Sequence, residues 1–291
     1  MESLTRIPAV GGSTRLFGII GNPITQVKTP QLLNTMFEAC EMNAVCVPFD
    51  IPPATFEAAL SGLQALNNVD GLVITVPHKT RAMTMVDEVS ENAAQVGAIN
   101  VMRKMPDGRW FGDLFDGIGL VRGISRMGFD VRGARIKQLG AGGAGAAVAH
   151  AMAQAGAASI TISEPQYQLS EKLSLQLKEF YPTCAIEIDP TPENVSDIDL
   201  LINCSPIGMK ASDGMPAPFE VFPKTLQVVD IIMTPPETPL LSHARACGCK
   251  VTNGRPMIEG QLEAFATFFG LDMPDSFAYF SEAAETVTQR D

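Results

Sequence analysis

The sequence predicts an α/β fold with two domains, and two observations support this prediction. Strand-sized apolar runs alternate with helix-sized amphipathic segments, which is the pattern of a parallel sheet covered by helices. The chain has 291 residues, 46% of them hydrophobic, so it can form one large core or two ordinary ones. Because the alternation starts again near Ala134, we expect two βα arrays and therefore two domains.

The first array occupies roughly the first third of the chain. We expect Thr29 and Pro30 to be the N-cap and the first residue of its first helix. The stretch Pro106-Asp107-Gly108 is a turn signal between two short apolar runs and predicts a β-hairpin. The predicted strands are residues 16–20, 44–49, 71–76, 99–102 and 109–111, and the predicted helices are residues 30–42, 54–66 and 117–127.

The second array begins with a strand that leads into a glycine-rich turn and a helix. The chain is then expected to end in two helices, the first of which carries an apolar stripe of Met257, Leu262, Phe265 and Phe268 or Phe269. The predicted strands are residues 135–139, 159–163, 200–203, 228–232 and 250–252, and the predicted helices are residues 143–156, 256–270 and 274–288.

The glycine-rich turn, GAGGAG from Gly140 to Gly145, predicts a dinucleotide site. Its glycines follow a predicted strand and open a helix, so backbone N–H groups would face a pyrophosphate. Glu164 follows the next strand, where a carboxylate would accept hydrogen bonds from the adenosine ribose. The alternative interpretations are that the glycine-rich turn is only a flexible loop and that Glu164 is a solvated loop residue. Because Glu164 would repel a 2′-phosphate and the next residues offer no guanidinium, we expect NAD rather than NADP.

Composition limits the other partners. A formal net charge of −11 argues against nucleic acid, which needs clustered Lys and Arg. No apolar run reaches the roughly 18 residues needed to span a membrane, and the first residues lack the apolar centre of a signal peptide, so we expect a cytoplasmic protein. The six cysteines are scattered, so we expect free thiols and no metal site. The sequence is compatible with a homodimer.

Two polar residues lie where an α/β sheet usually holds its ligands. Lys79 follows the predicted strand 71–76, at its carboxyl end, although a surface lysine at a helix start is the simpler interpretation. Asp116 lies between the hairpin and the next helix, where its simpler role is an N-cap. His78 is expected to pack or to cap a helix, and His150 is expected to be structural.

An ordered set of blocks gives the chain a resemblance to the shikimate dehydrogenase family over nearly its whole length. The blocks are FGIIGNPITQVKTP, VITVPHK, GAIN, GDLFDGIGL, LGAGGAG, LINCSPIGM and GQLEAF. The resemblance implies a substrate-binding and catalytic domain of residues 1–115 and 255–291, with a Rossmann-like dinucleotide-binding domain of residues 116–254 inserted in it. It also implies reversible hydride transfer between nicotinamide and a ring hydroxyl, with Lys79 and Asp116 carrying the proton. The substrate-binding residues that it implies are Val27, Thr29, Thr75, Asn100, Phe115 and Gln261, and the cofactor-binding residues are Gly140, Gly142, Gly143, Ala144, Gly145, Glu164, Cys204, Ser205, Met209 and Gly254.

The sequence departs from the family pattern on the side that should hold a substrate carboxylate. The family has two hydroxyl residues in an SxS stretch, whereas this chain has Val27-Lys28-Thr29. The family's Asn and Thr in GDNTDG are Leu114 and Phe115 here, and a family Tyr is Met233. Three hypotheses follow: an NAD-dependent dehydrogenase of shikimate, quinate or a related cyclic polyol acid; a dehydrogenase of an amino-substituted analogue of shikimate; and a nicotinamide-binding sensor without turnover. The first is our preferred hypothesis.

Overall fold

The computed structural model describes residues 10–210 and 212–272, and it confirms the α/β class. The chain divides into two compact units, Met1–Leu114 with Leu262–Asp291, and Phe115–Gln261. The described residues form two six-stranded sheets. Residues 255–261 belong to the second unit, because a Cβ on Gly119 or Gly123 would collide with the backbone of this segment. The helix expected at residues 274–288 lies outside the described residues.

The sheet of the first unit is mixed. Its strand order is β2-β1-β3-β5-β6-β4, in which β1 pairs in parallel with β2 and β3, while β3–β5 and β5–β6 are antiparallel. The predicted hairpin is therefore present as β5–β6. The strands are β1 (Arg15–Gly21), β2 (Ala44–Asp50), β3 (Val69–Ile74), β4 (Glu88–Val89), β5 (Val101–Lys104) and β6 (Trp110–Asp113), and the helices are α1 (Thr29–Ala39), α2 (Phe56–Gln64), α3 (Lys79–Met83) and α4 (Glu91–Val96).

Helix α1 begins one residue earlier than the sequence predicts. Lys28 is its N-cap, Thr29 is already helical, and no side chain caps this helix among the described residues. A proline near the start of a helix does not determine which residue is the first helical one. The first four N–H groups of a helix have no intrahelical partner, so a proline is tolerated at more than one of these positions. The expected N-cap at Thr29 was therefore wrong by one position.

The sheet of the second unit is parallel throughout. Its strand order is β12-β11-β10-β7-β8-β9, so the direction of winding reverses between β7 and β10, as in a Rossmann fold. Ligands of such sheets bind at the carboxyl ends of the strands near this reversal. The strands are β7 (Arg135–Leu139), β8 (Ser159–Ser163), β9 (Ala185–Ile188), β10 (Leu200–Asn203), β11 (Gln227–Asp230) and β12 (Lys250–Thr252), and the helices are α5 (Asp116–Arg126), α6 (Gly143–Gln154), α7 (Tyr167–Phe180), α8 (Pro239–Ala246) and α9 (Arg255–Phe269).

Aromatic side chains form part of the core of the first unit. The ring of Phe17 on β1 lies 4.7 Å from that of Phe37 and 5.0 Å from that of Phe269, measured between centroids. A Cβ on Gly71 would collide with the Phe269 ring, so a side chain on β3 at this point would displace the end of α9. Within the described residues, no helix is long and apolar enough to cross a membrane.

A buried lysine holds the loop between β9 and β10. Lys137 on β7 is 1% exposed, and its Nζ donates to Asp189 Oδ2 at 2.9 Å and to the carbonyl oxygens of Thr191 and Asn194 at 2.8 and 2.9 Å. Burial alone would raise the pKa of Asp189, but hydrogen bonds from Thr191 and Lys137 lower it to about 2. An ammonium with three acceptors therefore fixes a loop that crosses the sheet.

We predict that Lys137→Met destabilises the second unit at neutral pH. The variant keeps an unbranched side chain but removes hydrogen bonds to charged groups, which contribute about 1.5–3 kcal/mol each. Because the pKa of Asp189 is lowered to about 2 in the folded protein, its contribution is complete above its unfolded pKa and is lost as the pH falls towards 2. The difference in unfolding free energy between variant and wild type should thus be largest near pH 7 and shrink below about pH 4.

Urea unfolding at several pH values measures this difference. Lys178→Met, at an exposed lysine of α7, is the matched control and should change the unfolding free energy by less than about 0.5 kcal/mol. A Lys137→Met protein that is as stable as wild type at pH 7 would contradict the role of this ammonium.

Candidate functional site

The glycine-rich turn lies at the carboxyl end of β7, and its glycines have different roles. Gly140 has φ +97°, which favours glycine. A Cβ on Gly145 would collide with the carbonyl oxygen of Gly140, so the turn closes tightly on the first turn of α6. A Cβ on Gly142 or Gly143 would meet nothing within 4 Å, which leaves the backbone open on that side. A phosphate group could approach this open backbone and accept hydrogen bonds from its N–H groups.

Gln138 on β7 holds the turn from within and was not predicted. Its side chain is fully buried, and its Nε2 donates to the carbonyl oxygens of Gly140 and Gly145 at 2.9 Å each. Among the described residues, no side chain caps α6, so the N–H groups of its first turn remain suited to an anion. The signal in the sequence was the pair of long polar side chains, Lys137 and Gln138, between Ile136 and Leu139 of the same strand.

Glu164 lies against the same turn. Its Oε2 accepts a hydrogen bond from the Ala141 N–H at 2.9 Å, and its Oε1 accepts one from the Gln166 N–H at 3.0 Å. The carboxylate is therefore held beside the glycines, which disfavours the interpretation as a solvated loop residue. Together the turn, the uncapped helix and this carboxylate fit the pyrophosphate and the adenosine ribose of a dinucleotide.

The other predicted cofactor residues follow β10 and β12. Cys204 is buried, and burial raises the pKa of its thiol. Ser205 donates from both N–H and Oγ to Asn203 Oδ1, at 3.0 and 2.7 Å. The side chain of Met209 is 54% exposed. A Cβ on Gly254 would collide with the Ile231 carbonyl oxygen, so this glycine has a packing role.

Lys79 and Thr75 follow β3 in the first unit. Lys79 is the first residue of α3 and is half-buried. The backbone before it is fixed, since the Thr75 N–H donates to the Ile20 carbonyl oxygen at 2.8 Å. His78 is fully buried, stacks on Phe56 with 4.2 Å between ring centroids, and donates from Nε2 to the Ile51 carbonyl oxygen at 2.7 Å. It holds the N-cap position of α3, but its side chain makes no capping hydrogen bond and packs instead.

Asn100 and the turn after β6 lie in the same unit. Asn100 is 2% exposed, and its backbone joins two strands: its carbonyl oxygen accepts from the Ile74 N–H at 2.8 Å and its N–H donates to the Asp113 carbonyl oxygen at 2.9 Å. Asn92 Nδ2 donates to the carbonyl oxygen of Leu114 at 2.7 Å, and Leu114 is buried. Val27 and Thr29, at the start of α1, are both half-buried.

Asp116 is not the N-cap of α5, which corrects its simpler interpretation. Phe115 holds that position, and Asp116 is the first helical residue. The Asp116 carboxylate is 4% exposed, and its Oδ1 accepts a hydrogen bond from Gln261 Nε2 at 3.0 Å. Phe115 is 8% exposed. The structure therefore brings together two predicted site residues that are far apart in the sequence.

His150 is buried inside α6. Neither ring nitrogen has a partner among the described residues, and burial lowers the pKa of the imidazole to about 4. A neutral histidine without polar contacts has a packing role, in agreement with the expectation. Among the described residues, no group of three His, Cys, Asp or Glu side chains is arranged to hold a metal ion.

Comparisons with known proteins agree with this architecture. A model of the shikimate dehydrogenase substrate-binding domain matches residues 19–102. The shikimate dehydrogenase (NADP(+)) of Caldanaerobacter subterraneus subsp. tengcongensis is 34% identical over 276 residues, which are 93% of this chain and 97% of that protein.

Two solved structures have the same fold over almost the whole chain. Shikimate 5-dehydrogenase from Listeria monocytogenes, in complex with shikimate and NAD, has a TM-score of 0.85 and 26% identity over 94% of this chain and 97% of that one. Quinate dehydrogenase from Corynebacterium glutamicum, in complex with NAD, has a TM-score of 0.83 and 28% identity. The match covers 94% of this chain and 99% of that one. The resemblance deduced from the sequence blocks is confirmed: the chain belongs to the shikimate dehydrogenase family and is an oxidoreductase that acts on CH–OH groups with a nicotinamide cofactor.

Proposed function

We propose that this protein reversibly oxidises a ring hydroxyl of shikimate, quinate or a related cyclic polyol acid, with NAD as its preferred cofactor. The observation that carries the proposal is the buried Asp116 carboxylate, which Gln261 Nε2 holds at 3.0 Å in the unit that also contains the glycine-rich turn. The joint presence of Lys79, Asp116, Asn100 and Gln261 argues against a sensor without turnover.

A bound nicotinamide cofactor would supply the hydride chemistry, and the chain's own residues would have to move the proton. Loss of a hydride from an alcohol makes its hydroxyl acidic, so a base must take the proton. We assign this transfer to Lys79, with Asp116 as its carboxylate partner. Asn100 and Gln261 are both buried amides that can donate and accept, as recognition of ring hydroxyls requires.

We predict that Lys79→Met and Asp116→Asn each lower kcat by about 10²- to 10⁴-fold, the usual contribution of general acid–base catalysis. The affinity for NADH, measured by fluorescence titration, should stay nearly unchanged, because neither residue belongs to the glycine-rich turn. Exposed residues supply the controls: Lys178→Met and Asp197→Asn, the latter at a 90% exposed side chain, should keep full activity. Loss of NADH binding in the active-site variants would show that this division of roles is wrong.

The proposed cofactor preference rests on Glu164. Its two backbone hydrogen bonds fix the carboxylate beside the turn, so it has little freedom to move away from a 2′-phosphate. Two unit charges about 4 Å apart repel by about 4 kcal/mol at an effective dielectric constant near 20, and about a third of this is a tenfold change in binding. Pro165 and Gln166 carry no positive charge that would offset the repulsion.

We therefore expect kcat/KM to be at least about tenfold higher with NAD(H) than with NADP(H). Glu164→Ser should close most of this gap by raising the value for NADP(H), whereas Glu171→Ser, at an exposed position of α7, should leave the ratio unchanged. Steady-state kinetics with both cofactors give the answer. A wild-type preference for NADP(H), the cofactor named for the Caldanaerobacter relative, would refute the proposal.

The substrate is proposed from the side of the site that departs from the family pattern. Val27 replaces a hydroxyl residue, and Leu114 and Phe115 are both buried apolar side chains. One missing charge-assisted hydrogen bond costs about 1.5–3 kcal/mol, or about 10- to 150-fold in binding. We infer a substrate with a less polar face than shikimate, or one whose carboxylate is bound by Lys28.

We predict that Val27→Ser lowers the KM for shikimate by about tenfold or more by restoring the hydroxyl. Val27→Ala is the matched control, since it removes the same bulk without adding a donor, and it should leave KM nearly unchanged. The assay is a panel of shikimate, quinate and amino-substituted analogues followed by nicotinamide absorbance. An equal effect of both variants would mean that size, not hydrogen bonding, governs this position, and no turnover across the panel would favour the sensor.

A further inference from the structure

Two buried polar side chains end neighbouring strands of the second sheet. Asn203 ends β10 and Asp230 ends β11, and both are 0% exposed. Asn203 Nδ2 donates to Asp230 Oδ1 at 3.1 Å and to the Ile207 carbonyl oxygen at 3.2 Å. Asn203 Oδ1 accepts from the N–H and the hydroxyl of Ser205 at 3.0 and 2.7 Å. The amide thus uses both of its donors and both of its acceptor sites to hold the turn after β10.

Asp230 is surrounded by donors. Besides Asn203, its Oδ1 accepts from the Ile232 N–H at 3.1 Å, and its Oδ2 accepts from the Thr238 hydroxyl at 2.8 Å. Thr238 Oγ1 in turn accepts from the Leu241 N–H at 3.3 Å and caps α8. Burial raises the pKa of Asp230, against the lowering effect of these hydrogen bonds. The carboxylate therefore links β10, β11 and the start of α8.

The carboxylate also determines which way the Asn203 amide faces. An ionised carboxylate only accepts, so the amide nitrogen has to point at Asp230 and the amide oxygen at Ser205. The reversed amide would set an oxygen against the carboxylate and a nitrogen against the Ser205 N–H. Both contacts would be repulsive, and in a buried place no water replaces the lost hydrogen bonds. The turn after β10 thus depends on the charge at the end of β11.

We propose that Asp230 is a positioning residue for the nicotinamide half of the dinucleotide site, and that it acts through Asn203. This rests on the proposed cofactor site. Each half of a doubly wound sheet takes one mononucleotide, and Glu164 places the adenosine half after β8, which leaves the half with β10 to β12 for nicotinamide. The turn that Asn203 holds presents Ile207 and Met209, which are 41% and 54% exposed and suit the face of a planar ring.

The test compares the binding of NADH with that of ADP-ribose, which lacks only the nicotinamide ring, by titration calorimetry. Asn203→Asp sets a second carboxylate against Asp230, and it should weaken NADH binding at least about tenfold while ADP-ribose binding changes less than about twofold. The difference between the two ligands separates a positioning role from a general structural defect, which would weaken the binding of both.

Asp230→Asn alone is the milder second variant, useful where Asn203→Asp lowers the yield of folded protein. It keeps the size of the side chain, yet an amide at this position accepts either orientation of Asn203, so NADH affinity should fall several-fold with ADP-ribose affinity kept. Asp197→Asn, at a 90% exposed side chain, is the control for loss of charge and should change neither affinity.

The binding measurements distinguish an error in the positioning role from an error in the proposed cofactor site. Equal weakening of NADH and ADP-ribose binding by Asn203→Asp would overturn the positioning role even though the wild-type protein binds NADH. A wild-type protein that binds neither ligand would overturn the cofactor site and this proposal with it. None of these measurements depends on turnover, so an error in the proposed substrate leaves the test intact.

Discussion

Hydrogen bonds from buried polar side chains on the central strands hold the loops at the carboxyl edge of the second sheet. Lys137 and Gln138 on β7 bind loop carbonyl oxygens, and Asn203 and Asp230 at the ends of β10 and β11 bind each other and the turns that follow. Burying such groups without partners costs several kcal/mol, so each of them forces a loop backbone into one arrangement. The loops at the carboxyl edge of this sheet are therefore held by side chains of the sheet itself.

These contacts hold the backbone of the glycine-rich turn, where we propose that the dinucleotide binds. A phosphate cradle works only if its N–H groups already point at the ligand, because ordering them on binding would consume affinity. Here the turn is held by contacts within the protein, namely the hydrogen bonds of Gln138 and the close approach of Gly145 to Gly140. In the first unit, stacking on Phe56 and the hydrogen bond to the Ile51 carbonyl oxygen fix His78, directly before Lys79.

The sequence predicted the parts of the fold that depend on local pattern. Short runs rich in apolar and β-branched residues between turn signals indicate strands, so β7, β8, β10 and β12 were predicted with their observed bounds, although β7 and β12 also carry charged residues. Helices α3 and α4, of 5 and 6 residues, are too short to show a helical period and were missed. Gln138, Asn203 and Asp230 were missed for another reason, because the position of a polar residue in a strand does not indicate which group it bonds. Asn203 and Asp230, for example, are 27 residues apart in the sequence.

The cofactor preference illustrates why family membership alone leaves such details open. The Caldanaerobacter relative is named for NADP(+), while the Listeria and Corynebacterium structures contain NAD, so the family accommodates both. In this chain Glu164, which we propose faces the adenosine ribose, also accepts a hydrogen bond at its Oε2 from the Ala141 N–H of the glycine-rich turn. A change that admits a 2′-phosphate would also remove an acceptor from the phosphate cradle. The proposed preference for NAD is thus coupled to the shape of the turn, and a reversal of preference would need a second change that satisfies Ala141.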